Sequence, residues 1–315
     1  MIAFTILMAA GCVDIDAMIH NPVHCSTIGP ATCEQKGEWD AICLPCDQPL
    51  PWDRDYPWMD GTLGAGDAVR PIDPAEVVDA GFTTADGAAD LDAWYIPAHG
   101  DDPEAAALTL VYNHGNYAGI EHYLPRVRML HELGYGIFVW DYRGYGKSEP
   151  MGTPTPQQFL DDAALAYERA GDFAEGARVP YAYSLGAIPG VEMAIVHQPC
   201  ALLMEAPFTS MTALVEGSTT LGVPGSFVSD GRFENIEKIA GYEGPVLAMI
   251  GTVDPLFPVD DVAQMLDNAP GATALWVLPG VSHGISGGGV PEAGLGQYGD
   301  RLRTFLDQNA ADCSP

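Results

Sequence analysis

The chain has 315 residues, enough for one large or two ordinary domains and for a sizeable buried core, which excludes a mini-protein. Lys and Arg number 13 against 43 Asp and Glu, a formal charge of -30, which excludes a nucleic-acid partner of the kind held by clustered basic residues. Apolar residues at 47% are too many for a disordered acidic chain, so the acidity belongs to the surface of a folded protein, whether salt-adapted or generally acidic and secreted.

The chain opens on MIAFTILMAA, an apolar run too short to span a bilayer but fitting the hydrophobic part of an export signal. Gly11 and Cys12 follow, and the pattern resembles a bacterial lipoprotein signal, in which the cysteine carries the lipid. It lacks a leading Lys or Arg and has Ala9 where such signals usually carry Leu; an ordinary cleaved signal and a cytosolic protein are the alternatives. The expectation is a signal over residues 1–12, membrane attachment through a lipid on Cys12, and an exported, cell-envelope or periplasmic location.

Residues 13–75 form an arm rich in Cys, Pro and Gly with no helical or strand period. Cys12 aside, six of the seven cysteines remain, an even number suited to disulfides. Cys25, Cys33, Cys43 and Cys46 fall in this arm and pair among themselves in one of three ways. Cys43-Leu-Pro-Cys46 also has the spacing of a zinc-ligand pair, but Cys25 and Cys33 do not, and no metal site is expected.

From Glu76 the pattern changes to alternating strands and helices, a single domain over residues 76–315. Glu76–Thr84 and Ala89–Ala98 read as a hairpin turning at Ala85, Asp86 and Gly87. Strands follow at Leu108–Asn113, Gly136–Trp140, Arg178–Tyr183, Ala201–Glu205, Val246–Ile250 and Ala274–Leu278. Helices are predicted over Glu121–Leu133, Thr155–Ala170 with Pro156 early and Gly171 just past it, after Ser184, after Asp260, and over Gly294–Asn309. Continuous apolar strands interleaved with helices predict an α/β fold with a mainly parallel sheet, an antiparallel N-terminal hairpin and helices on both faces.

In such sheets reactive groups gather at the carboxyl ends of the strands. Ala182-Tyr183-Ser184-Leu185-Gly186 lies between a strand and a helix, a variant of the G-x-S-x-G elbow with Ala182 in place of the first glycine. His114-Gly115-Asn116 follows the LTLVYN strand, where the Asn116 amide could pair with that of Leu185 as an oxyanion hole. Gly251-Thr252-Val253-Asp254 and Gly280-Val281-Ser282-His283-Gly284 end two later strands, giving the chain order Ser, Asp, His. Ser184 alone would read equally as a helix cap. Asp260 and Asp261 compete with Asp254 but read better as the N-terminal cap of the next helix. Asp141, Arg143 and Ser148 read as a hydrogen-bonded turn beneath the site.

Together the segments HGN, WDYRGYGKSEP, AYSLG, EAPFTS, GTVDPLFP and VSHG resemble the alpha/beta-hydrolase superfamily, and within it serine hydrolases that include bacterial lipoproteins and eukaryotic protein depalmitoylases. The resemblance covers about residues 76–309 and implies Ser184 as nucleophile, His283 as base, Asp254 as the acid that orients it, and no cofactor. It implies a serine hydrolase that cleaves carboxylic esters or thioesters through an acyl-enzyme. An amidase or peptidase with the same triad is one alternative, and a catalytically silent envelope binding protein another. A short lid is expected over about residues 207–244. Tyr117, Tyr183, Phe208, Met211 and Leu214 are candidates for the substrate pocket, taking a small-molecule or acylated substrate, though packing against the sheet is an equal reading of the lid residues. A monomer is expected.

Cys200 precedes the strand ALLME at the sheet edge away from the site, and the helix after His283 runs back toward that edge. This predicts a Cys200–Cys313 disulfide.

Overall fold

A computed structural model describes residues 22–27, 69–100, 103–116, 119–174, 176–216, 231–284, 289–310 and 313. Cys12, Cys33, Cys43, Cys46 and Tyr117 lie outside the described residues, as do residues 217–230 of the segment expected to form the lid.

The strands are β1 (Val78–Asp79), β2 (Phe82–Thr83), β3 (Asp90–Leu91), β4 (Ala93–Ile96), β5 (Leu108–Asn113), β6 (Gly136–Trp140), β7 (Ala177–Tyr183), β8 (Leu202–Glu205), β9 (Val246–Gly251) and β10 (Thr273–Leu278). Eight of them form one sheet in the order β1-β4-β6-β5-β7-β8-β9-β10, while β2 and β3 pair separately. β1–β4 and β4–β6 are antiparallel and every other pair in the large sheet is parallel. Strands β5, β6, β8 and β9 are buried at every position, as their unbroken apolar runs require when helices cover both faces. β10, at the edge, is only partly buried.

The predicted hairpin forms, but in two pieces. β2 pairs with β3 around the turn, whereas β1 pairs with β4 in the large sheet. Between the pieces the Gly81 amide donates to Asp79 Oδ1 (3.0 Å). Two short antiparallel pairings therefore replace one long one.

The main helices are α1 (Ile120–Glu132), α2 (Pro156–Ala170), α3 (Ala187–His197), α4 (Met211–Glu216), α5 (Val259–Asn268) and α6 (Leu295–Asn309). Residues 120–131 of α1 are all buried, Pro125 included. α2 starts where the sequence places it: Thr155 Oγ1 accepts from the Gln158 amide (3.3 Å), Gln158 Oε1 accepts from the Thr155 amide (3.0 Å), and Pro156 occupies the first turn. α5 corrects an expectation. Its N-cap is Pro258, so Asp260 and Asp261 sit inside the first turn, where they favour the helix through its dipole rather than by capping.

Cys200 and Cys313 are bonded, with Cα atoms 5.2 Å apart, which fastens the chain beyond α6 to the foot of β8. Cys25 is also disulfide-bonded, which withdraws it from any four-thiolate zinc site. Among the described residues no cluster of three His, Cys, Asp or Glu could hold a metal ion, and no helix is long and apolar enough to cross a membrane.

Candidate active site

β5 is flanked by β6 on one side and β7 on the other, so the chain reverses its direction of winding there and opens a crevice at the strands' carboxyl ends. Asn113 of β5 is in register with Ala182 of β7. Asn116 and Leu185, each three residues farther along, therefore leave the same edge of the sheet.

Ser184 follows β7 directly and has φ of 55°, a left-handed conformation that a non-glycine residue adopts at some cost. This turn delivers the chain into the short 3-10 segment Ser184–Gly186 and then α3. Crowding around the turn explains its small residues. A Cβ on Gly186 would lie 2.1 Å from the Asn113 carbonyl oxygen. On the other side Ala182 is fully buried, and its methyl fits because the residue opposite is Gly190, where an added Cβ would come within 2.8 Å of it. The departure from glycine at 182 is thus matched by a glycine in α3, a compensation that the local motif does not contain.

The turns after β9 and β10 meet the elbow. A Cβ on Gly251 would lie 1.9 Å from the Val281 carbonyl oxygen, so the two turns approach in backbone contact. His283 Nε2 is 2.8 Å from Ser184 Oγ, and His283 Nδ1 is 2.7 Å from Asp254 Oδ2. A carboxylate can only accept, so Nδ1 carries the proton and Nε2 is left to accept from the serine hydroxyl. Asp254 Oδ1 accepts from the amides of Leu256 (2.8 Å) and Phe257 (3.0 Å), which fixes the carboxylate's orientation. The Asp254 and His283 side chains are almost wholly buried, and Ser184 is buried to 8% exposure. In this arrangement the imidazole can take the serine proton as the oxygen attacks an electrophile.

The family model described as Serine aminopeptidase, S33 (Hydrolase_4) matches residues 104–228. The Uncharacterized protein YfhR of Salmonella typhimurium is 34% identical over 206 residues, 61% of this chain and 69% of that protein. The chain belongs to the alpha/beta-hydrolase superfamily. The human Alpha/beta hydrolase domain-containing protein 17B is 28% identical over 210 residues, covering 64% of this chain and 67% of its own. The esterase Pf2001 of Pyrococcus furiosus shares the fold of this hydrolase with a TM-score of 0.58 and 20% identity, over 75% of this chain and 93% of that one.

Of the other sequence candidates, Phe208 and Met211 are buried beside the elbow. The Phe208 amide donates to the Ser184 carbonyl (3.0 Å) and its ring lies 5.7 Å from that of Phe257. Leu214 is half-buried against the core. Tyr183 is engaged in support: its hydroxyl donates to the His283 carbonyl (3.1 Å), and the Arg126 guanidinium lies 4.1 Å above its ring. Arg126 is paired in turn with Glu205 (3.1 Å), which accepts from the Tyr181 hydroxyl (2.8 Å), itself bonded to Tyr298. This buried polar chain runs from α6 to the backbone of His283. The sequence reading missed it, because its members are scattered over β7, β8, α1 and α6. The one available signal was an Arg and a Glu in otherwise buried elements, where charge persists only when paired.

Beneath the HGN turn, Asp141 Oδ1 accepts from the Ile120 amide (2.8 Å) and lies 3.3 Å from His114 Nε2. Ser148 Oγ donates to the Asp141 carbonyl (2.8 Å), and Arg143 is bonded to Asp162 (2.6 Å), so the loop forms a hydrogen-bonded turn. Burial lowers the His114 pKa to about 4, while burial and then the nearby Glu121 charge push the Asp141 carboxyl well up. The imidazole is therefore neutral, with its Nδ1 proton donated to the Gly115 carbonyl (2.8 Å).

Proposed function

We propose that this protein is a serine hydrolase that cleaves carboxylic ester or thioester bonds through an acyl-enzyme. The observation that most supports it is the continuous hydrogen-bonded line from Ser184 Oγ through His283 to Asp254. Ser184 attacks the acyl carbonyl as His283 Nε2 takes its proton, and Asp254 stabilises the imidazolium. The amides of Asn116 and Leu185 receive the developing oxyanion, a contribution of about 100- to 1000-fold per donor. His283 then protonates the leaving group and activates the water that releases the acid.

Kinship in fold with the Pf2001 esterase supports ester chemistry over amide cleavage, while the serine aminopeptidase family match keeps amide cleavage as the second reading. The Cys200–Cys313 and Cys25 disulfides favour an oxidising compartment outside the cytoplasm, consistent with export and a lipid on Cys12.

The test is covalent labelling by a fluorophosphonate probe, with p-nitrophenyl ester and aminoacyl p-nitroanilide turnover measured in parallel. Labelling and ester turnover that both vanish in Ser184→Ala are expected. Folded wild type that resists the probe removes the serine-hydrolase reading, and faster anilide cleavage transfers the assignment to an amidase.

A further inference from the structure

The part of the N-terminal arm that the structure describes is docked on the catalytic domain. Val23 and Cys25 lie on either side of Gly146: the Cys25 amide donates to the Gly146 carbonyl (2.7 Å), and the Gly146 amide donates to the Val23 carbonyl (3.0 Å). Between them, His24 pairs in parallel register with Gly146, and its Nε2 lies 3.2 Å from Glu149. Both backbone groups of one loop glycine are thus held by the arm.

Gly146 is also a contact point toward the HGN turn. It has φ of 50°, and a Cβ on Gly119 would lie 2.5 Å from its Cα, so the loop and the start of α1 touch through two glycines. Its neighbour Tyr145 is fully buried, packs 5.6 Å from the His114 ring, and donates its hydroxyl to Asn116 Oδ1 (2.6 Å). An unbroken path of contacts runs from Cys25 through Gly146 and Tyr145 to Asn116, the residue whose amide faces the oxyanion in the proposed mechanism.

We infer that residues 23–25 of the arm act as a brace that positions the oxyanion turn, with Tyr145 as the positioning residue that transmits it. The arm belongs to the working site although it contributes no reacting group. The kinetic part of this inference rests on the proposed ester hydrolysis. The brace itself rests on the hydrogen bonds alone.

The full-length chain tests it by a double-mutant cycle. Cys25→Ser removes the disulfide and keeps the amide; Cys25→Pro removes both, and proline is tolerated in a first helical turn. With Tyr145 present, Cys25→Pro is expected to lower kcat on p-nitrophenyl butyrate about 10-fold below Cys25→Ser, with KM changed less than about 2-fold, because a displaced donor weakens transition-state binding more than substrate binding. In a Tyr145→Phe background, itself slowed by a similar factor, the same exchange is expected to cost less than about 2-fold, since the path is already cut. Equal losses in both backgrounds, or no loss in the first, overturn the inference. Hydrogen exchange supplies a readout independent of turnover: the segment around residues 113–116 is expected to exchange faster in Cys25→Pro than in Cys25→Ser, and unchanged exchange overturns the brace. Wild type that neither turns over ester nor labels at Ser184 defeats the ester reading while exchange still decides the brace.

Discussion

The Ala182 methyl and Gly190 face each other across the strand-to-helix elbow so closely that a Cβ at 190 would stand 2.8 Å from the Cβ at 182. The elbow tolerates alanine two residues before Ser184 because the helix has given up its side chain opposite. Gly190→Ala should therefore destabilise the protein by about 1–3 kcal/mol through overpacking. Placing it on Ala182→Gly should recover most of that loss. Denaturant unfolding of the four proteins in this cycle checks it, and additive losses would show that the two positions do not share the space.

A second prediction concerns the acid. Asp254→Asn is expected to cut kcat by about 1000- to 10000-fold with the fold retained, since an amide can donate to Nδ1 and impose the wrong imidazole tautomer. Asp260→Asn and Asp261→Asn should leave kcat within about 2-fold, because both residues lie in the first turn of α5 while the two ring nitrogens of His283 are engaged by Asp254 and Ser184. Ester turnover in the three variants decides it; comparable losses at 254 and 260 would remove Asp254 from its role.

The strands, and the strand ends that bring Ser184, Asp254 and His283 together, were legible in the sequence because each depends on local signals. Unbroken apolar runs mark buried parallel strands, and each reactive residue lies a few positions past a strand end. Gly190 carried no such signal, since its value lies in what it leaves room for across the elbow. Val23 and Cys25 were illegible for a related reason: their partner, Gly146, is over a hundred residues away, and the pairing runs through backbone atoms, which leave no side-chain signature at Val23 or Cys25. The split of the N-terminal hairpin was hidden too, because the tertiary partner is what distinguishes β1 from β2.

The Cys200–Cys313 bridge closes a sequence separation of 113 residues, so its largest effect is on the unfolded chain. Replacing both cysteines by serine should cost about 2–4 kcal/mol. The loss should appear in thermal or urea unfolding of the oxidised protein, with kcat nearly unchanged, because the bridge lies at the sheet edge remote from Ser184. A double variant as stable as wild type under oxidising conditions would show that the bond leaves the unfolded ensemble unconstrained.

Asp92, in the break between β3 and β4, yields a pH prediction. Its Oδ2 has no hydrogen-bond partner among the described residues. Burial, then the charges of Asp141 and Glu121, raise its pKa from 3.8 to about 7, with Asp79 adding to the rise and Lys147 opposing it. The folded state thus prefers the protonated carboxyl. The stability this contributes is full below the unfolded value of 3.8 and is lost as pH rises through about 7. Asp92→Asn, which resembles the protonated acid at every pH, should therefore gain on wild type as pH climbs from about 4 to about 8 and hold a constant advantage beyond. Because Asp141 and Glu121 act on Asp92, the difference reports the titration of this carboxylate cluster. Urea midpoints across that range measure it, and a flat difference would mean that Asp92 is ionised in the fold, drawing its compensation from Lys147.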